Sequence, residues 1–483
     1  MPNNETDRRR FLKTMGLGAA ALALPGRLSV AQNRPPNIVF IFIDDMGWRD
    51  LGFMGSRYYE TPNVDKLASQ GMVFRQAYTN APNCAPTRAC LLSGQYGPRH
   101  GVYTVGTSER GQSKFRKLIP TANTTDLRLD IVTIPEALKA AGYVSACIGK
   151  WHLGGDAEHS PKAQGFDVSV DRGGLGYRGH FKRGRTGPAD EDEPEYLTDR
   201  LTDESLKFIE DNRDKPFFLY LAHHAVHTPI QAKRELIEKY QAKPGSGGQS
   251  NPKYAAMVDS VDQSVGRVMD KLDELNLTDN TVVVFFTDNG GVGGYQRLGI
   301  QGGEITSNLP LRGGKGMLYE GGIRVPMIVR WPGQVEPGSK CDVPVIGTDY
   351  YPTFLEMAGL EKAAGQVLDG ESLVPLLKQT GSLKRDAIFW HFPAYLQGGG
   401  GTWRTTPAGA IRQGDFKLIE FFEDGTLELY NINQDIGEEN NLAEEMPEKV
   451  RQLHRRLLDW RKSVKAPVPT EPNPEYDPEA RPE

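Results

Sequence analysis

The sequence predicts an α/β protein, a large mostly parallel or mixed sheet sandwiched by helices, with a small C-terminal antiparallel α+β domain. Three observations predict it. Residues 37–43, 143–148, 216–222 and 281–287 are apolar runs rich in β-branched and aromatic side chains without polar alternation, as expected of strands buried on both faces. Helical segments separate them, and strands alternating with helices imply a right-handed, largely parallel sheet covered on both sides. From about residue 384 the texture changes to short strands with hairpin turns.

The 483-residue length suits one large core and a smaller appended one. A net charge of −5 provides no basic field for nucleic acid, so attraction for an anion must come from local cations. The four cysteines, Cys84, Cys90, Cys147 and Cys341, are too few for a disulfide framework. Residues 1–31 read as a twin-arginine signal peptide: Arg8-Arg9-Arg10-Phe11-Leu12-Lys13 precedes an apolar stretch over 15–24 and small residues at Ser29-Val30-Ala31. No other stretch is long and apolar enough to span a membrane.

In chain order, the first run stops at Asp44-Asp45, adjacent carboxylates that a cation would hold together. Thr61-Pro62 starts a helix ending near Gly71. In Asn83-Cys84-Ala85-Pro86-Thr87-Arg88, Pro86 suits a first turn and Gly94 a last one, which puts Cys84 at a helix N-terminus with Arg88 one turn later. Taken alone, Cys84 reads equally as a buried thiol. Residues 103–130 look like surface excursion; Thr133 with Glu136 then caps a helix stopping at Gly142.

The second run leads to Gly149-Lys150-Trp151-His152. Residues 154–196, rich in glycine and charge, are a lid, a binding loop or a surface insertion. A helix over 198–212 precedes the third run, which ends in His223-His224-Ala225-Val226-His227. A helical stripe from Tyr254 to Leu275 is core. The fourth run ends in Asp288-Asn289-Gly290; Arg312, Lys315 and Glu320-Gly321-Gly322 follow, with a strand over 325–331. Ligands of such sheets bind outside the carboxyl ends of the strands, so four strands ending in carboxylates, Lys-x-His, histidines and Asp-Asn converge on one crevice, a metal site for an anionic ester.

The small domain, residues 384–465, has strands over 388–392, 409–412, 416–422 and 427–430 and a helix over 447–464 that turns Val450, Leu453, Leu457, Leu458 and Trp460 inward. The Pro-rich tail, 466–483, holds neither helix nor ladder and is disordered or laid along the surface. The remaining residues, 32–383, form the catalytic domain.

Cys84-x-Pro86-x-Arg88 with Leu91-Leu92-Ser93-Gly94 resembles the signature of type I sulfatases, members of the alkaline phosphatase superfamily. Asp44-Asp45, Gly149 to His152, His227-Thr228-Pro229, Asp288-Asn289-Gly290 and Lys315-Gly316 with Tyr319 to Gly322 extend the resemblance from Asn37 through the small domain. It implies that Cys84 is oxidised to formylglycine by a formylglycine-generating or anaerobic sulfatase-maturating enzyme. It implies that Asp44, Asp45, Asp288 and Asn289, with residue 84, bind one calcium ion, a hard cation for oxygen donors. Arg88, Lys150 and Lys315 would neutralise the sulfuryl oxygens, His152 would take the proton that releases sulfate, and His227 with Lys315 would protonate the leaving oxygen. The hydrated aldehyde offers one oxygen to attack sulfur and a second whose deprotonation expels sulfate, an exit that serine lacks.

The expected activity is release of sulfate from a sulfated carbohydrate, a galactose or N-acetylgalactosamine sulfate, or from an aryl sulfate, in the periplasm or at the cell surface after export by the twin-arginine translocase. Trp390-His391-Phe392-Pro393-Ala394-Tyr395, the glycines over 398–401 and Trp403-Arg404 suit stacking on a sugar or packing of the small domain. A phosphonate or phosphate ester hydrolase of the same superfamily and a noncatalytic glycan-binding protein are the alternative readings.

Overall fold

The computed structural model describes residues 34–182, 195–399 and 401–481. The expected signal peptide, residue 400 of the glycine run and part of the 154–196 segment lie outside them. Among the described residues no helix is long and apolar enough to cross a membrane.

The central sheet has eight strands: β1 (Asn37–Ile43), β2 (Met72–Phe74), β3 (Val144–Gly149), β4 (Val168–Val170), β5 (Phe217–Ala222), β6 (Thr281–Thr287), β7 (Ile328–Arg330) and β8 (Ser339–Cys341). Their order is β8-β2-β7-β6-β1-β5-β3-β4. β1 pairs in parallel with both neighbours, Phe40 lying opposite Tyr220 and Val284. Only β7 is antiparallel to its neighbours, which makes the sheet mixed.

Five helices matter for the site: α1 (Pro62–Gln70), α2 (Cys84–Ser93), α3 (Leu197–Asp211), α4 (Pro252–Glu274) and α5 (Tyr350–Met357). Because side chains alternate across a strand, Ile38, Phe40 and Phe42 of β1 pack with Ala85 and Ala89 of α2 and Phe354 of α5. Val39, Ile41 and Ile43 pack on the opposite face with Leu67 of α1, Leu201 of α3 and Val261 of α4. Every β1 side chain is buried, and each large apolar one contributes about 1.5–3 kcal/mol.

The strand expected over residues 325–331 is divided. Arg324–Val325 pairs with Ala77–Tyr78 in a separate three-stranded sheet, and β7 returns to the large one. Pro326 between them has no N–H to donate, which interrupts a continuous ladder. The capping box at Thr133 and Glu136 forms as expected, the Glu136 carboxylate accepting from the Thr133 amide at 2.9 Å.

The small sheet follows. Strands β9 (Ala387–Phe392), β12 (Ala408–Gln413), β13 (Phe416–Phe421) and β14 (Leu427–Asn431) form an antiparallel sheet in that order, with β10 (Leu396–Gln397) and β11 (Trp403–Thr405) as a separate pair. Helix α6 (Pro447–Val464) packs Val450, Leu453 and Leu457 against Ile411, Leu418 and Leu429. Leu458, expected inside, is 47% exposed; successive helical residues diverge by about 100°, so Leu457 and Leu458 cannot share one stripe. Trp460 lies at the edge of this core, stacked on Phe389 at 4.8 Å.

Two alternatives left open by the sequence are decided, Trp390 for packing and the tail for the surface. Trp390 is buried, and its indole N–H donates to the Thr79 carbonyl at 2.7 Å, so this ring packs the small sheet against the large domain and is closed to a sugar. The Pro-rich tail does pair: the Ile119 amide donates to the Glu471 carbonyl, and the Asn473 and Asp477 amides donate to the Lys117 and Lys114 carbonyls, each at 2.9 Å. Non-proline residues supply the donors, so the prolines do not prevent it. These bonds fasten part of the 103–130 segment, in which Tyr103, Thr104, Arg116 and Leu127 are buried rather than superficial.

The α6 register has a measurable consequence. Leu457→Ala is expected to cost about 2–5 kcal/mol and Leu458→Ala less than about 0.5 kcal/mol, compared by urea unfolding midpoints.

Candidate active site

The four central strands deliver their C-terminal residues to one place. β1 ends in Asp44 and Asp45, β3 in Lys150 and His152, β5 in the histidine cluster, and β6 in Asp288 and Asn289. Gly149 permits this convergence: at φ +113 it approaches β5 so closely that a Cβ would lie 1.9 Å from the Ala222 carbonyl oxygen. Asp45 and His152 both adopt left-handed backbone, at φ 65 and 66, an uncommon conformation for residues with a side chain.

Cys84 opens α2, a helix whose ten residues are all buried and whose C-terminal end is closed by Gly94 at φ 68. Its sulfur lies 3.4 Å from Asp44 Oδ1 and 3.5 Å from Lys315 Nζ. Lys315 is held by its own amide, which donates to the Gly291 carbonyl at 3.0 Å, and by Tyr295, whose hydroxyl donates to the Lys315 carbonyl at 2.8 Å.

Each acid is matched with a base. Lys150 Nζ pairs with Asp44, Lys315 Nζ lies 2.6 Å from Asp45 Oδ1, and Arg88 Nη2 lies 2.7 Å from Asp288 Oδ2. The pairs are interlinked: Arg88 Nη1 donates to the Lys150 carbonyl at 2.9 Å, the Asp45 amide to Asp288 Oδ1 at 3.2 Å, and Asn289 Nδ2 to Asp45 Oδ1 at 2.8 Å. Arg88 is fully buried, its guanidinium 4.8 Å from the centre of the Phe42 ring. The resemblance directs Arg88 to the sulfuryl oxygens; in the structure its guanidinium bonds Asp288 and the Lys150 carbonyl.

Burial and these neighbours set the charges. Burial alone would raise Asp44, yet Lys150, then His227 and Arg88, hold it well below the usual carboxylate range. Burial opposes charge on Lys150 and Lys315 too, but Asp44 and Asp45 respectively keep them protonated. Asp288 is pushed up by burial and by Asp44. Burial, then Asp44, pushes the Cys84 thiol up to about 12, so an unmodified sulfur here is a poor nucleophile. His152 is held down to about 3 by burial and by Lys150, which keeps the imidazole neutral.

Asp44, Asp45, Cys84, Lys150, His152, His227 and Lys315 share the wall of a cavity of about 970 Å³, with Asp288, Asn289 and Arg88 buried behind them. His227 Nδ1 donates to the Thr228 carbonyl at 2.6 Å, which leaves Nε2 free, 3.7 Å from Asp45 Oδ2. The three histidines of the cluster part company. His224 lines the cavity, whereas His223 is buried against Ser264, with Nε2 2.9 Å from its hydroxyl, and is structural.

The donor set fits a hard cation. Ligand atoms of Asp44, Asp45, Cys84 and His227 all lie within 4.8 Å of one another. Asn289 Oδ1 is buried with no hydrogen-bond partner, an acceptor that a cation would satisfy.

Sequence reasoning missed several cavity residues. His180, whose Nε2 donates to the His227 carbonyl at 2.8 Å, comes from the 154–196 segment, and Arg110 from the 103–130 segment. Both stretches lack periodicity, so their polar residues carried no signal of direction.

Comparison with known proteins agrees with this geometry. The sulfatase family model matches residues 36–360, and the model of the N-sulphoglucosamine sulphohydrolase C-terminal region matches residues 314–463. A sulfatase from Formosa agariphila is 34% identical over 92% of this chain and 91% of its own. Human N-acetylgalactosamine-6-sulfatase is 34% identical over 74% of this chain and 68% of its own. The crystal structure of Ps i-CgsB in complex with k-i-k-neocarrahexaose superposes with a TM-score of 0.70 at 30% identity, over 88% of this chain and 93% of that one. Because these matches span both the strand-end residues and the small sheet, the chain belongs to the sulfatase family.

Proposed function

We propose that this sulfatase releases inorganic sulfate from a sulfated carbohydrate, with Cys84 converted to formylglycine and one calcium ion held by Asp44, Asp45, Asp288, Asn289 and residue 84. The observation that carries the reading is Cys84 itself: it starts a buried helix on the wall of a wide cavity, between Asp44 and Lys315, in surroundings that suppress its thiolate. A hydrated aldehyde at this position supplies a hydroxyl to attack sulfur and a second one whose loss of a proton releases sulfate. A bound calcium ion supplies Lewis-acid polarisation of the sulfuryl oxygens.

The remaining steps belong to the chain's own side chains. Lys150 and Lys315, kept charged by their aspartates, face the cavity and offset charge on the sulfuryl oxygens. Arg88 orients Asp288 from behind and adds positive potential beneath the reacting group. His152, on the cavity wall with an unpartnered Nδ1, accepts the proton whose removal ejects sulfate. His227, fixed through Nδ1, presents Nε2 to the leaving oxygen, with Lys315 as the neighbouring donor.

A sulfated glycan is favoured by the volume of the cavity and by two relatives, one named for N-acetylgalactosamine-6-sulfate and one crystallised with a neocarrahexaose. Galactose and N-acetylgalactosamine sulfates are the first candidates. The twin-arginine segment over residues 1–31 supports export, to the periplasm or the cell surface, and formylglycine requires a maturation enzyme.

The decisive experiment is the mass of the peptide containing residue 84, from protein made in its native host. Loss of sulfur with gain of an aldehyde, together with sulfate release from a sulfated-galactan or chondroitin panel, supports the proposal; an unmodified thiol in fully active protein overturns it. Cys84→Ser, if unconverted, is expected to give one slow burst and then no turnover; undiminished steady turnover by unmodified serine refutes the release step.

Calcium added to chelator-treated protein is expected to raise the melting temperature, by an amount equivalent to about 2.7 kcal/mol at a hundredfold excess over Kd, and Asp45→Ala to abolish the rise. An equal rise in the variant refutes the ligand set. His227→Ala is expected to lower kcat on a sugar sulfate by about 10²–10⁴-fold, but far less on 4-nitrophenyl sulfate, whose phenolate leaves without a proton. Equal losses on both substrates would remove His227 from the acid role.

A further inference from the structure

The cations at the strand ends all have carboxylate partners, yet among the described residues three others in the same cavity, Arg110, Arg172 and Arg404, have none within 4.0 Å. Arg110 and Arg404 line it together with Cys84 and Lys315. Among the described residues, the ion pairs within 4.0 Å include a carboxylate for Arg88, Lys150 and Lys315 but none for Arg110 or Arg404. Arg110 makes one side-chain hydrogen bond, to the Val105 carbonyl. Arg404 has a buried Nε without a partner, and its guanidinium lies 4.4 Å from the centre of the Tyr295 ring.

The two arginines come from distant parts of the chain and are held in one wall. The Tyr395 amide donates to the Ser108 carbonyl at 3.1 Å, and Glu109 forms a bridge with Tyr395. Tyr395 packs on Trp403, their ring centres 4.9 Å apart, and a Cβ on Gly111 would lie 2.7 Å from the Trp403 ring. Arg404 is anchored beside the reaction centre: a Cβ on Gly316, the residue after Lys315, would lie 3.4 Å from Arg404 Cδ, and Tyr295, under the guanidinium, is the residue that holds the Lys315 carbonyl.

Two guanidinium groups partly withdrawn from water and facing one space repel each other. Burial lowers Arg110, against a raising influence of Cys84, and Arg404 adds a smaller lowering. Their open N–H donors match the oxygens of a carboxylate or sulfate, which would relieve the repulsion and satisfy the buried Nε. Neither guanidinium is hydrogen-bonded to Asp44, Asp45 or Cys84 among the described residues, unlike Lys150 and Lys315.

We propose that Arg110 and Arg404 form a second anion subsite, which binds a carboxylate or a further sulfate on the sugar being desulfated or on its neighbour. The inference rests on the sulfated-carbohydrate reading and narrows it to substrates carrying at least two negative groups. Trp403, packed against Tyr395 between the two segments, is a positioning residue for this wall.

Binding tests the subsite without turnover. Cys84→Ala protein is titrated calorimetrically with three galactose-based disaccharide sets: one sulfate, two sulfates across the ring positions, and one sulfate with a neighbouring uronic acid. At least one doubly charged set is expected to bind tenfold or more tightly than the monosulfate, and whether the sulfate or the carboxylate arm gives the gain identifies the source. Arg404→Gln and Arg110→Gln should each remove most of the gain, whereas Arg404→Lys should keep part of it, with melting temperatures verifying folding. Equal affinity for all three sets, or a gain that survives both glutamine variants, overturns the subsite. Sulfate release by the unsubstituted, matured protein is measured on the same sugars. Absence of release with the binding gain intact sinks the catalytic reading alone, and release without any gain sinks the subsite alone.

Discussion

The structure depends on keeping three carboxylates and three cations buried together at the ends of parallel strands. Asp44 with Lys150, Asp45 with Lys315 and Asp288 with Arg88 are each too costly to bury alone. Removing one partner of such a pair typically costs about 3–5 kcal/mol, because an unmatched charge remains. The fold meets this cost by joining the pairs through the Lys150 carbonyl, the Asp45 amide and the Asn289 amide group, so that Asp45, Asp288 and Arg88 each have more than one partner. The sheet order follows from the same requirement. β6, β1, β5 and β3 are consecutive and parallel, which brings all four strand ends to the same edge.

Charge matching at the centre gives the unmatched cations on the rim their meaning. A site whose acids and bases cancel does not attract an anion strongly from a distance, particularly in a chain of net charge −5. Arg110 and Arg404 add positive charge to the cavity beyond these pairs, as would the proposed calcium ion when bound. One lies in an irregular segment of the large domain and the other in the β10–β11 pair, so the small sheet completes the cavity as well as extending the core.

Much of the fold and of the central chemistry was legible because it rests on short-range rules. Apolar runs without alternation marked β1, β3, β5 and β6, and the polar residue that ended each run fell at the strand end where parallel topology collects ligands. Cys84 and its helix were legible from Pro86 and Gly94. What was illegible depended on three-dimensional neighbours. The guanidinium of Arg88 turns behind Cys84 because Asp288 is there, and no spacing encodes that. Pro326 divides one expected strand into two, although its missing N–H was visible in the sequence. Leu458 and Leu457 are equally apolar, and only the helix register decides which one is buried. Arg110 and His180 lie in stretches whose conformation is fixed by distant partners rather than by local pattern.

The pairing of the tail with residues 114–119 bears on how the chain reaches this state. Asn473 Nδ2 donates to the Ser113 carbonyl across a separation of 360 residues, and the segment thus fastened continues from the one that carries Arg110. Contacts so far apart in sequence form late, because the entropy of closing the intervening chain must first be offset by the two cores. During synthesis the strand-end cluster can assemble once β6 and Lys315 have emerged, whereas the 113–119 segment gains its partners only once residues beyond 470 are made. Assembly of the strand ends and fastening of the 113–119 segment are therefore separate events in folding, and a chain halted between them would hold the strand-end cluster beside a segment that still lacks its partners.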